Sequence, residues 1–208
     1  SRARLHAGGA GGATLSDPSS IESLLDGYVA AAMADQYPPG MMVAVATKDQ
    51  VFVKAYGLAD AENKIRATDK TLFRIASISK TFVWTAVMIL VDEGKLDLDA
   101  DVDAYLKTVK VGRRGMAPVT LRDLMAHRPG FEDTFGDFFQ SKTGRSVEEA
   151  LKRTKPQRVA APGERTSYSN WGTDLAAQIV ADVTGAPFDE FVSLRLLQPI
   201  GMVSTIQH

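Results

Sequence analysis

The sequence predicts an α/β fold in which an antiparallel sheet is flanked by helices and followed by a mostly helical lobe. Three observations predict it. Two short β-branched runs, 41–46 and 51–58, face each other across a polar turn; a long apolar helical pattern begins near Ser77; and beyond it helix-start signals recur without further strand patterns.

A Gly/Ala-rich lead, 1–16, lacks the apolar core of a signal peptide and is expected to be flexible. From Asp17 and Pro18, the spacing of Ile21, Leu24, Leu25, Tyr28 and Val29 predicts a helix to Gln36, which Tyr37-Pro38-Pro39-Gly40 ends. The hairpin follows, with Thr47 to Gln50 as its turn. The pattern from Ser77 to Glu93 places Phe82, Val83, Ala86, Val87, Ile89 and Leu90 almost all round the helix, so a buried central helix is expected, stopped by Gly94. Residues 17–95 are thus read as the first part of the α/β domain and 96–208 as the helical lobe. In that lobe Thr120 caps a helix at 121–126, Ser146 and Glu149 form a capping box, Asn170 to Thr184 ends at Gly185, and Pro187 opens a helix running to about Leu197. Two strands are few: a hairpin alone is marginal, so the sheet is expected to be incomplete in this chain.

The 208 residues suffice for one substantial domain, and 45% apolar with 24% charged residues describes a globular chain. A net charge of −1 provides no field to recruit nucleic acid or an anionic membrane. Without cysteine there is neither a disulfide nor a thiolate nucleophile. The longest apolar stretch, Phe82 to Val91, is broken by Thr85 and falls well short of the roughly 20 residues of a membrane span.

The chemistry centres on Ser77-Ile78-Ser79-Lys80. Residues three apart share a helix face, so the hydroxyl and the ammonium meet. A serine is a weak nucleophile until a neighbour takes its proton, and a lysine in a confined apolar site can have its pKa lowered enough to do so. The start of a helix adds a favourable field for developing negative charge, and the Ser77 amide is a candidate oxyanion donor. Yet with 13 Ser and 11 Lys, about 0.7 such pairs arise by chance, and taken alone the motif is better explained by an N-cap serine beside a solvated lysine. Tyr168-Ser169-Asn170 is more specific: five Tyr and two Asn give a chance expectation of about 0.05. A phenol near an ammonium has a lowered pKa and can shuttle a proton, while Asn170 can accept from Lys80 and donate to a substrate carbonyl. The competing reading is a turn tyrosine followed by an N-cap asparagine.

Ser-x-x-Lys followed by Tyr-x-Asn resembles the signature order of serine β-lactamases and penicillin-binding proteins. The flanking segments FRIASISKTF, DEGKLDLDADVDAYL, VTLRDLMAHRPGF and PGERTSYSNWGTDLAAQIVADVTGAPFDEFVSLRLLQPIGM are similar to the class C β-lactamase branch, with its esterases and D-amino-acid peptidases. The resemblance, running from Tyr37 to Met202, implies a β-lactamase/penicillin-binding-protein-like fold with a five-stranded sheet. It also implies a serine hydrolase with Ser77 as nucleophile, Lys80 and Tyr168 moving the proton, and Asn170 binding substrate. An ester, amide or D-amino-acid peptide is the expected substrate, with esters and peptides favoured over antibiotics. No cofactor or metal is expected, and a periplasmic or secreted location is implied.

Several departures stand out. Ala76 replaces a frequent Gly, a change expected to leave close packing before the serine intact. Arg128-Pro129 replaces a small polar pair beside the site, which is expected to alter access or substrate preference. His127 is expected only to support the helical lobe. The family's third motif, Lys or His followed by x-Gly, lies well downstream of the segment resembling LLQPIGM; His6, His127 and His208 do not supply it, and Lys142-Thr143-Gly144 is out of place. The remaining C-terminal part of the fold, or another chain, is therefore expected as a partner.

Other classes fit the sequence less well. A Ser-His-Asp hydrolase using His127 lacks the Gly-x-Ser-x-Gly elbow and the β-α-β alternation. Asp97, Asp99, Asp101 and Asp103 lack the central Gly and terminal Glu of a calcium loop and read as a solvated acidic loop. A non-catalytic scaffold or peptide-binding protein retaining the fold is the alternative from outside enzymology.

Overall fold

A computed structural model describes residues 18–36, 38–132 and 146–205. The 1–16 lead, His6, Lys142-Thr143-Gly144 and His208 lie outside the described residues. The chain divides at Arg74 and Ile75 into two compact units.

The first unit holds α1 (Pro18–Gln36), β1 (Gly40–Ala46), β2 (Val51–Asp60) and β3 (Ile65–Arg66) in an antiparallel sheet ordered β1-β2-β3. The hairpin register pairs Gly40 with Gly57, Val43 with Lys54 and Ala46 with Val51. Its turn is fixed by Thr47, whose amide donates to the Gln50 carbonyl at 2.8 Å while its Oγ1 accepts from the Gln50 amide at 3.1 Å. Gly57 has φ +68 and packs where a Cβ would lie 2.3 Å from the Pro39 carbonyl oxygen, so no other residue fits without movement. The third strand is only two residues long and follows a bulge, too short for an alternating pattern to announce it.

The predicted apolar stripe of α1 is only partly used. Ile21 and Val29 are buried, whereas Leu24 and Tyr28 remain exposed. Polar contacts flank the buried pair: Lys54 Nζ lies 2.6 Å from Glu22 and 2.8 Å from Asp26, and the Tyr56 hydroxyl donates to Asp26 at 3.0 Å. These contacts draw the Asp26 carboxyl below the usual range, Lys54 first and Tyr56 second.

The second unit is helical: α2 (Lys80–Asp92), α3 (Leu121–Met125), α4 (Val147–Arg153), α5 (Asn170–Thr184) and α6 (Phe188–Val192), the last continued by a π-helical turn, Ser193–Leu197. Its core joins Val83, Ala86, Val87 and Leu90 of α2 to Trp171, Leu175, Ile179 and Val180 of α5. Phe131 meets Trp171 edge-on at 5.1 Å, and the Trp171 indole N–H donates to the Leu151 carbonyl at 3.0 Å, so the buried indole is satisfied. The expected all-round burial of α2 holds on one face only: Phe82, Trp84 and Ile89 are half-buried and Met88 is exposed. The capping boxes at Thr120 with Asp123 and Ser146 with Glu149 are both formed, and Gly185 ends α5 in the left-handed conformation.

Three expectations are corrected. The α-helix does not begin at Ser77: Ala76–Ser79 is a 3₁₀ turn, and α2 starts at Lys80. Ala76 has φ +44, so its substitution for glycine is not a matter of packing alone; the methyl group strains a left-handed backbone immediately before Ser77. The acidic run is also not simply solvated. Asp103 accepts from the amides of Val111 and Gly112 at 2.7 and 2.9 Å, Asp101 accepts from the Asp103 amide at 3.0 Å and pairs with Arg113, and Asp99 pairs with Arg122 at 2.7 Å. These carboxylates organise a loop that supplies Val102, Leu106, Val109, Val111 and Val119 to the core.

Arg158, which no sequence pattern singled out, is 7% exposed and donates to the carbonyls of Gly112, Arg113 and Ala117 at 2.9, 3.1 and 2.8 Å. One planar side chain thereby closes the same loop from inside.

Arg158→Ala strands three carbonyls and lowers unfolding stability by at least about 2 kcal/mol, read from chemical denaturation of the full-length protein. At the 3₁₀ turn, Ala76→Gly retains stability because the left-handed backbone suits it, whereas the β-branched Ala76→Val loses roughly 1–3 kcal/mol in the same measurement.

Candidate active site

Four side chains from two distant segments meet in the second unit. Ser77 lies on the 3₁₀ turn and Lys80 is the first residue of α2, three positions on, so the lysine folds back and donates to the Ser77 Oγ at 3.2 Å. Tyr168 directly precedes an extended Ser169, and Ser169, not Asn170, is the N-cap of α5, its Oγ accepting from the Gly172 amide at 3.0 Å. Ser169 is 6% exposed, so the cap is fixed in the interior while its two neighbours project toward Lys80 and Ser77.

The packing of α2 against α5 closes the set. Lys80 Nζ donates to Asn170 Oδ1 at 2.7 Å across 90 residues of sequence, and the Tyr168 hydroxyl donates to Ser77 Oγ at 2.7 Å. Lys80 Nζ also lies 4.9 Å from the centre of the Tyr168 ring. Ser77 and Tyr168 are exposed, Lys80 and Asn170 half-buried. All four residues singled out in the sequence are therefore within one hydrogen-bonded network, and it is open to solvent.

Electrostatics act on the phenol. Burial alone would raise the Tyr168 pKa, but the interactions with Lys80 and Ser77 outweigh it and hold the phenol below its ordinary value of 10. A phenol so placed gives up its proton more readily, and the phenolate then accepts from the Ser77 hydroxyl across the same 2.7 Å contact.

Further residues belong to the surroundings. His127, expected only as lobe support, lies with its ring 4.4 Å from that of Tyr168, and its Nδ1 accepts the Ser169 amide at 3.2 Å. Burial first and the Lys80 charge second push its pKa below 6.5. Asp174, one helical turn beyond Asn170, was missed altogether. Its side chain keeps an exposed face, yet the surrounding protein removes enough water to push the carboxyl up to about 6, against the opposing pull of Lys80. An isolated Asp in a helical pattern carries no sequence signal for such a position. Arg128 directs its guanidinium at the Gly163 carbonyl, and the Gly163 amide returns a bond to the Arg128 carbonyl at 2.8 Å. Pro129 is buried, and Gly130, at φ +78, sits where a Cβ would lie 2.1 Å from the Ala160 carbonyl oxygen. The pair thus ties the His127 loop to the turn that leads into Tyr168.

The Ser-His-Asp alternative does not match this geometry: the Ser77 Oγ is engaged by Tyr168 and Lys80, and the His127 Nδ1 by a backbone amide. Among the described residues no helix is long and apolar enough to cross a membrane.

Protein flp of Staphylococcus aureus (strain N315) is 29% identical over 171 residues, covering 80% of this chain and 34% of flp. The D-aminopeptidase of Gluconobacter oxydans (strain 621H) is 33% identical over 197 residues, covering 90% of this chain and 36% of that enzyme. Among solved structures, the octameric penicillin-binding protein homologue from Pyrococcus abyssi superposes with a TM-score of 0.76 at 29% identity, covering 87% of this chain and 43% of the homologue. The chain thus spans about a third of these curated relatives and under half of that structure. Helices with a three-stranded antiparallel sheet form a β-lactamase/penicillin-binding-protein-like fold, and the β-lactamase family model matches residues 25–206. The chain belongs to the β-lactamase family.

Proposed function

We propose that this chain carries the nucleophile-bearing part of a serine hydrolase that works through a Ser77 acyl-enzyme. The observation that carries the reading is the 2.7 Å contact between the Tyr168 hydroxyl and Ser77 Oγ, made beside Lys80. As Oγ bonds to the substrate carbonyl carbon, the Ser77 proton passes to the Tyr168 phenolate, which Lys80 stabilises. Collapse of the tetrahedral adduct expels an alcohol or amine, which takes that proton. Water then repeats the sequence on the acyl-enzyme and releases the acid. Asn170, anchored through Oδ1 to Lys80, keeps its amide N–H₂ for a substrate carbonyl.

An ester, amide or D-amino-acid peptide is the substrate class. The D-aminopeptidase relative, at 33% identity over 90% of this chain, supports the peptide end of that range. A periplasmic or secreted location accords with such substrates.

Intact mass after exposure of the full-length protein to a fluorophosphonate or penicillin-type probe tests the reading. One adduct on Ser77 is expected, and none in Ser77→Ala. Absence of an adduct in the unaltered protein, where a control hydrolase labels, leaves the scaffold reading. Removing the proton acceptor in Tyr168→Phe slows labelling by roughly 10²–10⁴-fold. The rate should rise with pH as Tyr168 loses its proton, with an inflection below the pKa of 10 of a free phenol, and Tyr168→Phe should flatten that rise. A pH-independent rate in the unaltered protein would remove Tyr168 from the mechanism.

A further inference from the structure

We propose that His127 is a positioning residue that holds Tyr168 over Ser77, its neutral imidazole accepting the backbone amide that follows the tyrosine. The assignment rests on the acyl-enzyme reading for its consequence, but its geometry stands apart.

His127 follows Ala126, the C-terminal cap of α3. The His127 amide donates to the Leu124 carbonyl at 3.1 Å and the Arg128 amide to the Asp123 carbonyl at 2.7 Å. These are the two bonds of a Schellman motif, with His127 in the left-handed position that usually belongs to glycine. Its φ is +54. Helix termination alone therefore favours glycine here, and a β-carbon at this position costs about 1 kcal/mol or more. A strained residue at a site needs another reason to be there.

Tyr168 supplies the reason. The Ser167 amide donates to the His127 carbonyl at 2.8 Å and the Ser169 amide to the His127 Nδ1 at 3.2 Å. One residue thus grips the backbone on both sides of Tyr168, and its ring lies against the phenol at 4.4 Å with a 33° tilt. Glycine would keep the first bond and lose the other two contacts. Because Nδ1 must accept, the ring proton resides on Nε2 and the imidazole is neutral. Burial, and after it the positive charge of Lys80, opposes its protonation.

Stability and site geometry consequently pull in opposite directions at this position, which a purely structural role would not do. In the full-length protein, His127→Gly relieves the left-handed strain but leaves the Ser169 amide without its acceptor, so Tm should stay close to that of the unaltered protein while Ser77 labelling slows by roughly 10–100-fold, the scale of an ångström-level misplacement. His127→Asn should recover most of the rate, because asparagine tolerates the left-handed backbone and offers an oxygen near the Nδ1 position. A second readout needs no activity: the titration of Tyr168 followed by NMR of ζ-¹³C-tyrosine, assigned with Tyr168→Phe. Displacing the phenol from Lys80 should raise its pKa in His127→Gly, and His127→Asn should bring it back down. An unchanged Tyr168 titration in His127→Gly overturns the assignment, whatever the labelling does. If the unaltered protein takes no probe, the acyl-enzyme reading fails, and the titration alone still decides the role of His127. Should His127→Gly not fold, His127→Leu, which keeps bulk and lacks the acceptor, takes its place in both comparisons.

Discussion

The bond from Lys80 Nζ to Asn170 Oδ1 joins the first residue of α2 to the first residue of α5, and the candidate site depends on it. Both helices begin at this point, so their starts are held together where partial positive charge accumulates. An ammonium placed there needs acceptors, and the structure supplies the Asn170 carbonyl oxygen and the Ser77 hydroxyl. Lys80 is thus oriented by one acceptor toward the other. The buried faces of α2 and α5, with Ala86, Val87 and Leu90 against Leu175, Ala176 and Ile179, make this orientation a consequence of core packing. A single pair of flexible side chains would not hold it.

Two non-glycine residues with left-handed backbones bracket the network, Ala76 just before Ser77 and His127 beside Tyr168. Each sits where a helical segment starts or stops, and each points the chain in a direction that an unstrained residue would not favour. Strain of this kind persists only when surrounding contacts fix it. Around His127 they are identifiable: the Schellman bonds of α3, the Arg128–Gly163 exchange, and the close approach of Gly130 to Ala160. The segment leading to Tyr168 is therefore positioned by loops, and Arg158, ten residues before Tyr168, is itself fixed to the carbonyls of Gly112, Arg113 and Ala117.

Capped elements were legible in the sequence because capping is local. Thr120 before α3, Ser146 with Glu149 at α4, and Gly185 after α5 are encoded within four residues of the helix ends they define. The four residues that meet in the network were singled out because Ser-x-x-Lys and Tyr-x-Asn keep fixed spacing, and the competing reading of Asn170 as the cap of α5 gives way to Ser169. What sequence did not disclose depends on distant partners. Arg158 satisfies carbonyls 41 to 46 residues away, His127 meets Ser169 at a separation of 42, and Asp174 acquires its perturbation only from its surroundings. The strain at Ala76 escaped notice for another reason: alanine is unremarkable by composition, and only the backbone angle shows what its β-carbon meets.

The distribution of burial separates stability from chemistry. Ser77 and Tyr168 project to solvent, while the residues that fix their backbones, Ser169 above all, are buried. Truncating an exposed hydroxyl removes little packing, whereas disturbing the α5 cap or the α2–α5 contact moves several groups at once. His127 stands between these classes. It is half-buried, it ends a helix, and it touches the phenol, so the two demands meet in one side chain. Glycine answers the helix and histidine answers the tyrosine. The presence of histidine at a position that helix termination would give to glycine is the mark of the second demand prevailing.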